Sequence, residues 1–284
     1  MSLKKKIAIQ GIRGSFHHQV AHQYFGDDIV LNECMSFVEI PELINKNLVD
    51  GAVMAIENSL AGSILPNYAL IDEYDLKIQG EVHLPIHHHL MGLDNQTLTD
   101  IEEVWSHPMA ILQCRKFFRS HPHIKLVEES DTAEIAQRIQ EKQLKGIAAI
   151  ASKNAAAIYN LHIIENKIQT REQNYTRFFI LKKQNGNLEK PELINKASLR
   201  FVTKHETGSL IDVLSVFSNF NMSLSKIQSL PIIDKPWKYA FFVDVIFDDH
   251  ELFKKAIESV KKKTSSLKIL GEYKQSKRKH HVEG

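Results

Sequence analysis

The stretch "NYTRFFIL", residues 174–181, places a hydroxyl and a guanidinium directly before an apolar run. The hydroxyl of Thr176 can donate or accept a hydrogen bond, and Arg177 can bind a carboxylate through two parallel N–H···O bonds. Phe178 begins the apolar run, which predicts a buried strand. Neighbouring side chains of a regular strand point to opposite faces, so both polar groups meet one ligand only if the strand is irregular there. The alternative for Arg177 is a structural ion pair.

A second polar group follows the apolar segment "VMAI" at residues 53–56. Glu57, Asn58 and Ser59 come directly after it, so these side chains are expected at the edge of a sheet. A carboxylate, an amide and a hydroxyl together suit the binding of a small polar ligand. The alternative is that Glu57 is only an acid favoured by the dipole at a helix start.

Small polar residues also stand at other points where a predicted strand leads into a helix. Helix N-termini offer N–H groups and a partial positive charge, which suits a carboxylate or a phosphate. The alternative is plain helix capping, because the same residue types are favoured there. The turns are residues 11–15 with Ser15, residues 57–63, residues 106–108 with Ser106, residues 130–132 and residues 152–154. The first turn, "GIRGS", lacks the lysine of a P-loop, so a nucleotide is not expected.

Histidine is frequent, with 15 residues, but its spacing does not predict a metal site. In the segment 17–22, His18 and His22 lie one helical turn apart with no third ligand fixed by spacing, and the run at 87–89 is expected to alternate across a strand. Cys34 and Cys114 form no CxxC pair, so neither a zinc knuckle nor a disulfide framework is expected. No order of Ser, His and Asp indicates a catalytic triad.

Length, composition and charge predict the number of domains, the partners and the location of the protein. A chain of 284 residues, 43% hydrophobic and 25% charged, predicts two globular domains. The net charge of +2 and the scattered basic residues argue against a nucleic-acid partner. Apolar runs stay shorter than the ~18 residues that cross a membrane, and a predicted strand occupies the place of a signal peptide. We therefore expect a cytoplasmic protein with no membrane partner.

Strands alternate with helices through residue 160, which predicts an α/β domain with parallel sheets. Two helix starts carry the capping-box pattern, Ser36 with Glu39 and Asp131 with Glu134. The predicted strands are "KIAIQ", "GAVMAIE", "EVHLPIHHHLMG", "EVWS", "IKLVEES", "GIAAIAS" and "NYTRFFILKK". The last of these closes the first domain, residues 1–182.

Residues 183–196 lose periodicity and gather Asn, Gly, Pro and charge, which predicts a linker. The segment that follows, residues 197–275, reads strand, helix, strand, strand, helix, strand. That βαββαβ order is typical of a ferredoxin-like domain. Residues 276–284 are expected to form a mobile tail.

Several of these segments together resemble the prephenate dehydratase family. They are "GIRGSFHHQVA", "AIENSLAGSI", "LPIHHHLM", "SHPMAILQC", "DTAEIA", "IAAIASKNAAAIYNLHIIENKIQ" and "NYTRFFIL". They occur in the order and spacing of the family, and the Thr-Arg-Phe triplet is its most specific mark. The second half resembles the ACT regulatory domain, so the resemblance covers about residues 5–275.

The resemblance implies an α/β fold in which residues 1–182 form a two-lobed, periplasmic-binding-protein-like catalytic domain with the ligand between the lobes. A ferredoxin-like βαββαβ ACT domain follows. The implied enzyme is a carbon–oxygen lyase that converts prephenate to phenylpyruvate in L-phenylalanine biosynthesis. It uses no cofactor and no metal.

The resemblance also assigns roles to residues. The implied catalytic residues are Thr176, Glu57 and Ser106, and the implied substrate-binding residues are Arg177, Asn58, Ser59, Gln113, Ser15 and Phe178. An unperturbed threonine hydroxyl is too weak an acid to protonate a leaving group alone. We therefore expect Thr176 to donate a hydrogen bond within a relay that includes Glu57 and Ser106.

For the ACT half, the resemblance implies L-phenylalanine as an effector and a homodimer or homotetramer. The implied effector residues are Gly208, Ser209, Leu210, Asn221, Gln228 and Ser229. Two motifs depart from the family: Gly-Ser-Leu replaces Gly-Ala-Leu, and Gln-Ser-Leu-Pro replaces Glu-Ser-Arg-Pro. The lost Glu and Arg remove a possible ion pair at the effector site.

Three alternatives stay open on the sequence. One is arogenate dehydratase, which performs the same elimination on an amino acid. Another is a non-catalytic binding protein with the same two-lobed cleft. The last is a sensing protein led by the ACT half, which would bind phenylalanine without turnover.

Overall fold

The structure, a computed structural model, describes residues 4–183, 193–204, 206–232, 235 and 237–276. Residues 184–192 of the predicted linker and residues 277–284 of the predicted tail lie outside the described residues. The chain divides into two compact units. Unit 1 comprises Met1–Ser63 and His83–Phe178, and unit 2 comprises Ile64–Val82 and Phe179–Gly284.

The described residues form fifteen strands and eight α-helices. In chain order the strands are β1 (Lys5–Gln10), β2 (Ile29–Cys34), β3 (Gly51–Asn58), β4 (Gly62–Ser63), β5 (Lys77–Pro85), β6 (His89–Gly92), β7 (Glu103–Ser106), β8 (Lys125–Glu128), β9 (Ile147–Ala151), β10 (His162–Glu165), β11 (Tyr175–Lys182), β12 (Lys196–Thr203), β13 (Ser223–Pro231), β14 (Tyr239–Ile246) and β15 (Thr264–Tyr273). The helices are α1 (Phe16–Phe25), α2 (Glu39–Asn45), α3 (Leu65–Glu73), α4 (Pro108–Phe118), α5 (Thr132–Lys142), α6 (Lys153–Ile158), α7 (Ser209–Asn219) and α8 (His250–Lys263).

The first sheet has the strand order β2-β1-β3-β11-β5, with β4 beside β3. Strand β1 pairs in parallel with β2 and with β3. The buried residues of β1 and β3, such as Ile7, Ile9 and Met54, are fully enclosed. This apolar layer fixes the carboxyl end of β3, where Glu57 and Asn58 stand.

The second sheet has the order β10-β6-β9-β7-β8. Strand β7 pairs in parallel with β8 and β9, whereas β6 runs antiparallel to β9 and β10. The expectation of purely parallel sheets is therefore wrong. A helical crossover predicts parallel pairing only for the strands that it joins, such as β7 and β8 through α4, and β6 pairs with β9 and β10, which do not follow it directly in the chain.

The segment "EVHLPIHHHLMG" was predicted as one strand, and this is also wrong. Strand β5 ends at Pro85 and β6 begins at His89 in the other sheet. Proline has no N–H for a sheet ladder, so it ends the pairing. The amide of Ile86 then donates to the carbonyl of Asn174, and the amide of His88 donates to the side chain of Gln169.

The two predicted caps differ in outcome. Asp131 caps α5 as predicted, because its carboxylate accepts from the amides of Ala133 and Glu134. The Ser36 box is wrong: the amide and the hydroxyl of Ser36 both donate to the carboxylate of Glu39, and α2 begins only at Glu39. Ser36 therefore binds the Glu39 carboxylate and does not cap α2.

In unit 2 the elements β12, α7, β13, β14, α8 and β15 follow in the predicted βαββαβ order. Their sheet has the order β13-β14-β12-β15 with antiparallel pairing throughout. Phe201, Phe217 and Phe253 lie in the core of this sheet and its two helices.

One segment groups differently from the predicted domains. Residues Ile64–Val82, expected in the first domain, belong to unit 2 by their contacts. Asp72 forms ion pairs with Arg200 at 3.0 Å and with Lys268 at 3.3 Å. These long-range charges hold α3 to the four-stranded sheet, which no local pattern in the sequence reveals.

Candidate active site

The carboxyl end of β3 and the start of β11 bring predicted site residues into direct contact. The side-chain amide of Asn58 donates to the hydroxyl of Thr176 at 3.0 Å. It also donates to the side-chain oxygen of Asn174 at 2.8 Å. The Glu-Asn-Ser and Thr-Arg-Phe motifs, more than a hundred residues apart in sequence, therefore meet as one polar cluster.

The orientation of the Asn58 amide is set by the backbone after it. The Oδ1 atom of Asn58 accepts from the amides of Leu60 at 3.0 Å and Ala61 at 2.9 Å. Because both partners are donors, the oxygen must face them and Nδ2 must face Thr176. Thr176 is thus an acceptor in this contact, and its own proton is directed elsewhere.

The cluster continues through Asn174 to α4. The Nδ2 of Asn174 donates to the Oε1 of Gln113 at 2.8 Å, and the Nε2 of His88 lies 2.8 Å from the same oxygen. Asn174 is completely buried and His88 almost so. Asn174 and His88 were not predicted as site residues. The signals were present: an amide two residues before the first residue of the Thr-Arg-Phe triplet, and a histidine within the "HHH" run.

Arg177 lies beside Glu57, with Nη1 and Oε2 3.9 Å apart. At that distance the opposite charges attract each other, but the two atoms form no short hydrogen bond. Ser59 makes two hydrogen bonds to Tyr175. Its hydroxyl accepts from the amide of Tyr175 at 2.9 Å, and its own amide donates to the Tyr175 carbonyl at 2.8 Å. Ser59 therefore fastens the end of β3 to the start of β11.

Three predicted residues are engaged in structural contacts. The buried hydroxyl of Ser106 donates to the carbonyl of Ile150 at 2.8 Å, within the second sheet. The hydroxyl of Ser15 accepts from the amide of His18 and caps α1. Phe178 is buried edge-on against His17, with ring centroids 5.0 Å apart. The relay expected between Ser106 and Thr176 has no direct hydrogen bond among the described residues.

A cavity of about 380 Å³ lies beside the cluster and is lined in part by Gln113. Leu60 and Thr170 also border it. The other lining residues are Met109 and Leu112, with the cations Arg115, Lys116, Arg119 and Arg171. Four cations around an apolar floor suit an anion with an apolar body.

Burial controls the titration of several groups in unit 1. It lowers the pKa of His17 to about 3 and that of His88 to about 4, so both imidazoles are neutral at pH 7. Burial raises the pKa of Cys34 to about 11 and that of Cys114 to about 12. Neither thiol is therefore a nucleophile at neutral pH.

The "HHH" run serves three separate partners. His87 contacts the side chain of Gln169, His88 that of Gln113 and His89 that of Asn166. Residues 86–88 lie between two strands, so the prediction that the histidines of the run alternate across a strand is wrong. The three side chains nevertheless have three different partners. Within the described residues, no group of three or more His, Cys, Asp or Glu side chains is arranged to hold a metal ion.

The predicted effector residues lie at three places in unit 2. Gly208, with φ 84°, precedes α7, the hydroxyl of Ser209 donates to the carbonyl of Lys204 at 2.7 Å, and Leu210 packs against the core of unit 2. Asn221, with φ 54°, follows the same helix. The side chain of Gln228 donates to the carbonyl of Ser229 on β13 at 3.0 Å. Their role as an effector site stays a prediction.

The family model for prephenate dehydratase matches residues 7–186. This chain belongs to the prephenate dehydratase family. A bifunctional chorismate mutase/prephenate dehydratase from Aquifex aeolicus is 34% identical over 277 residues, which cover 96% of this chain and 75% of that relative.

Solved structures agree on the fold. One, described as GqqA, a novel type of quorum quenching acylases, has a TM-score of 0.86 at 26% identity and covers 96% of this chain and 98% of its own. The prephenate dehydratase from Arthrobacter aurescens in complex with L-Phe has a TM-score of 0.82 at 23% identity, covering 95% and 90% of the two chains. The mixed α/β fold of prephenate dehydratases is thereby confirmed for this chain.

Proposed function

We propose that this protein is a prephenate dehydratase, a carbon–oxygen lyase that forms phenylpyruvate from prephenate in L-phenylalanine biosynthesis. One observation carries the proposal: the Thr-Arg-Phe triplet of the family joins the Glu-Asn-Ser motif through the bond from Asn58 to Thr176. Family membership and the 34% identity to a relative named for this activity support it.

The reaction needs binding for two substrate carboxylates and a hydrogen-bond donor for the departing hydroxide. The C–C bond to the ring carboxylate breaks and carbon dioxide leaves, the electron pair of that bond completes the aromatic ring, and the ring C–O bond breaks as hydroxide leaves. Arg177 binds one substrate carboxylate, and Thr176 donates a hydrogen bond to the departing oxygen. Glu57, Asn58, Ser59 and Gln113 complete the polar wall, and the cationic cavity beside Gln113 suits the second carboxylate. This chemistry takes place without a metal or cofactor.

For Ser106, Ser15 and Phe178 we propose supporting roles in place of the catalytic and substrate-binding roles that the resemblance implies. Their contacts support the walls of the site: Ser106 ties β7 to β9, Ser15 caps α1, and Phe178 anchors β11. We propose that they shape the catalytic domain, residues 1–182, as two periplasmic-binding-protein-like lobes.

We further propose that residues 197–275 form a ferredoxin-like ACT domain that responds to L-phenylalanine. The βαββαβ order and the strand order of the sheet support this, as does the L-Phe complex described for the Arthrobacter aurescens protein. Gly208, Ser209, Leu210, Asn221, Gln228 and Ser229 are the proposed effector residues.

Assembly and location complete the proposal. Leu224 and Ile227 are 36% and 47% exposed on the edge strand β13, a surface suited to a homodimer or homotetramer. Both cysteines are free and buried, which fits the reducing cytoplasm. In the part of the chain that the structure describes, no helix has the length and apolar character of a membrane span.

Turnover tests the proposal directly. Purified protein is mixed separately with prephenate and with arogenate, and phenylpyruvate and phenylalanine are followed. We expect phenylpyruvate from prephenate, and a loss of about 10²- to 10⁴-fold in kcat for Thr176→Ala. Faster turnover of arogenate would make the protein an arogenate dehydratase, and turnover of neither would leave a binding or sensing protein.

A further inference from the structure

We propose that Asn174 is a positioning residue that holds the Thr176 hydroxyl as a hydrogen-bond donor toward the substrate. The inference rests on the proposed function and adds to it a residue that the family motifs do not assign. It follows from the direction of each hydrogen bond in the cluster.

The direction begins at Asn58, whose Oδ1 is occupied by the amides of Leu60 and Ala61. Its Nδ2 therefore donates, and it does so to Asn174 and to Thr176. A hydroxyl that accepts at one lone pair still has its proton to donate. The bond from Asn58 thus reserves the Thr176 proton for another partner.

Asn174 sets where the Asn58 amide lies. Its Oδ1 accepts from Asn58 at 2.8 Å, while its Nδ2 donates to Gln113 at 2.8 Å. Turning the Asn174 amide over would bring its Nδ2 against the Nδ2 of Asn58, so that two donors would meet. Because Asn174 is 0% exposed, water is not at hand to repair such a mismatch.

His88 is the last residue in this series of hydrogen bonds. The Oε1 of Gln113 receives both the Asn174 amide and the Nε2 of His88, so that nitrogen carries the imidazole proton. The other nitrogen, Nδ1, is buried and has no hydrogen-bond partner among the described residues. A neutral His88 protonated at Nε2 donates to the Gln113 oxygen, which also accepts from Asn174. The Asn174 oxygen in turn accepts from Asn58, and Asn58 donates to Thr176.

A double-mutant cycle tests the inference with prephenate as substrate. The four proteins are the full-length wild type, Asn174→Ala, Thr176→Ala and the double variant. We expect Asn174→Ala to lower kcat about 10- to 100-fold with KM changed less than about threefold, because the lost orientation acts mainly in the transition state. In the Thr176→Ala background, the same change should have no further effect on kcat.

The control is Asn166→Ala, which removes an amide side chain that contacts His89 of the "HHH" run. It should leave kcat unchanged. If Asn174→Ala does not fold, Asn174→Asp, which is close in shape and keeps an acceptor toward Asn58, replaces it in the cycle. Its kcat loss should likewise disappear in the Thr176→Ala background.

The outcomes are distinct. An equal loss of kcat in both backgrounds would show a merely structural role for Asn174 and overturn the inference while the proposed function stands. A loss confined to KM would also overturn it. Absence of turnover by the wild type would overturn the proposed function and the inference together.

Discussion

The Arg177 guanidinium lies 3.9 Å from the Glu57 carboxylate where β11 begins beside the end of β3, and their side chains are 6% and 34% exposed. The buried cation is thus next to a partly exposed anion at the mouth of the strand. The distance leaves these two atoms attracted but not in a short hydrogen bond. In the proposed function a substrate carboxylate approaches the same guanidinium, and we propose that the pair orients Arg177 for it.

Replacement of Arg177 tests this function. Arg177→Lys keeps the charge but loses the planar pair of N–H donors that fits a carboxylate. We expect kcat/KM for prephenate to fall about 10- to 100-fold, mostly through KM. Lys142→Arg, the reverse exchange at an exposed residue of α5, is the control and should stay within about twofold. Steady-state kinetics measures both, and an unchanged KM in Arg177→Lys would assign the residue to structure alone.

The turn before α1 gives a second prediction. Gly14 has φ 90°, and a Cβ there would lie 3.0 Å from the Cα of Ala155. Gly62 has φ 85° with nothing within 4 Å of such a Cβ. We expect Gly62→Ala to lower the free energy of unfolding by about 1–2 kcal/mol, the cost of the left-handed backbone. Gly14→Ala should lower it further, because α6 must also shift.

Urea unfolding of the two glycine variants, followed by circular dichroism, measures the difference. Equal losses would mean that the contact of Gly14 with α6 relaxes freely. A smaller loss at Gly14 would contradict the packing of the turn against Ala155.

The sequence predicts most elements of the fold, and it predicts the two partners of a contact where each lies in a recognisable motif. Thr176 and Asn58 were expected in one site and are in contact. Asn174 and His88 were missed because their roles depend on bonds to residues far away in sequence. Ser106 was expected in the relay, but its partner is the carbonyl of Ile150. Sequence patterns show which residue types follow a strand, not which neighbour their hydrogen bonds reach.

A buried ion pair in unit 2 gives a third prediction. Lys196 and Glu81 are 2.9 Å apart, with side chains 4% and 0% exposed. Removal of one charge leaves the other in a poorly solvated site, so Glu81→Gln should lower the free energy of unfolding by about 3–5 kcal/mol. The double variant Glu81→Leu/Lys196→Met should recover much of this loss.

The control for the ion pair is Glu251→Gln, which breaks the exposed pair with Lys254 in the same unit. It should leave stability nearly unchanged. Urea unfolding measures all three variants. If Glu81→Gln were as stable as the control, the pair would not be buried in solution.

Acid should destabilise the protein partly through His17. This imidazole is packed between Phe37 and Phe178 and its Nε2 accepts from the amide of Ala55 at 3.2 Å. Burial lowers its pKa from 6.5 to about 3. Between these two values the unfolded chain binds a proton at His17 that the folded protein does not, so stability falls as pH falls. The slope from this one group reaches about 1.4 kcal/mol per pH unit.

His17→Gln can keep an acceptor for the Ala55 amide without a group that titrates in this range. The variant loses ring packing, so its stability at pH 7.5 should be lower than that of the wild type. Its stability should nevertheless fall less steeply from pH 6.5 to pH 5, measured by urea unfolding at each pH. Some slope should persist, because burial also lowers the pKa of His88 to about 4. The exposed His162→Gln is the control and should follow the wild-type slope. An identical slope in His17→Gln would mean that His17 becomes protonated within the folded protein.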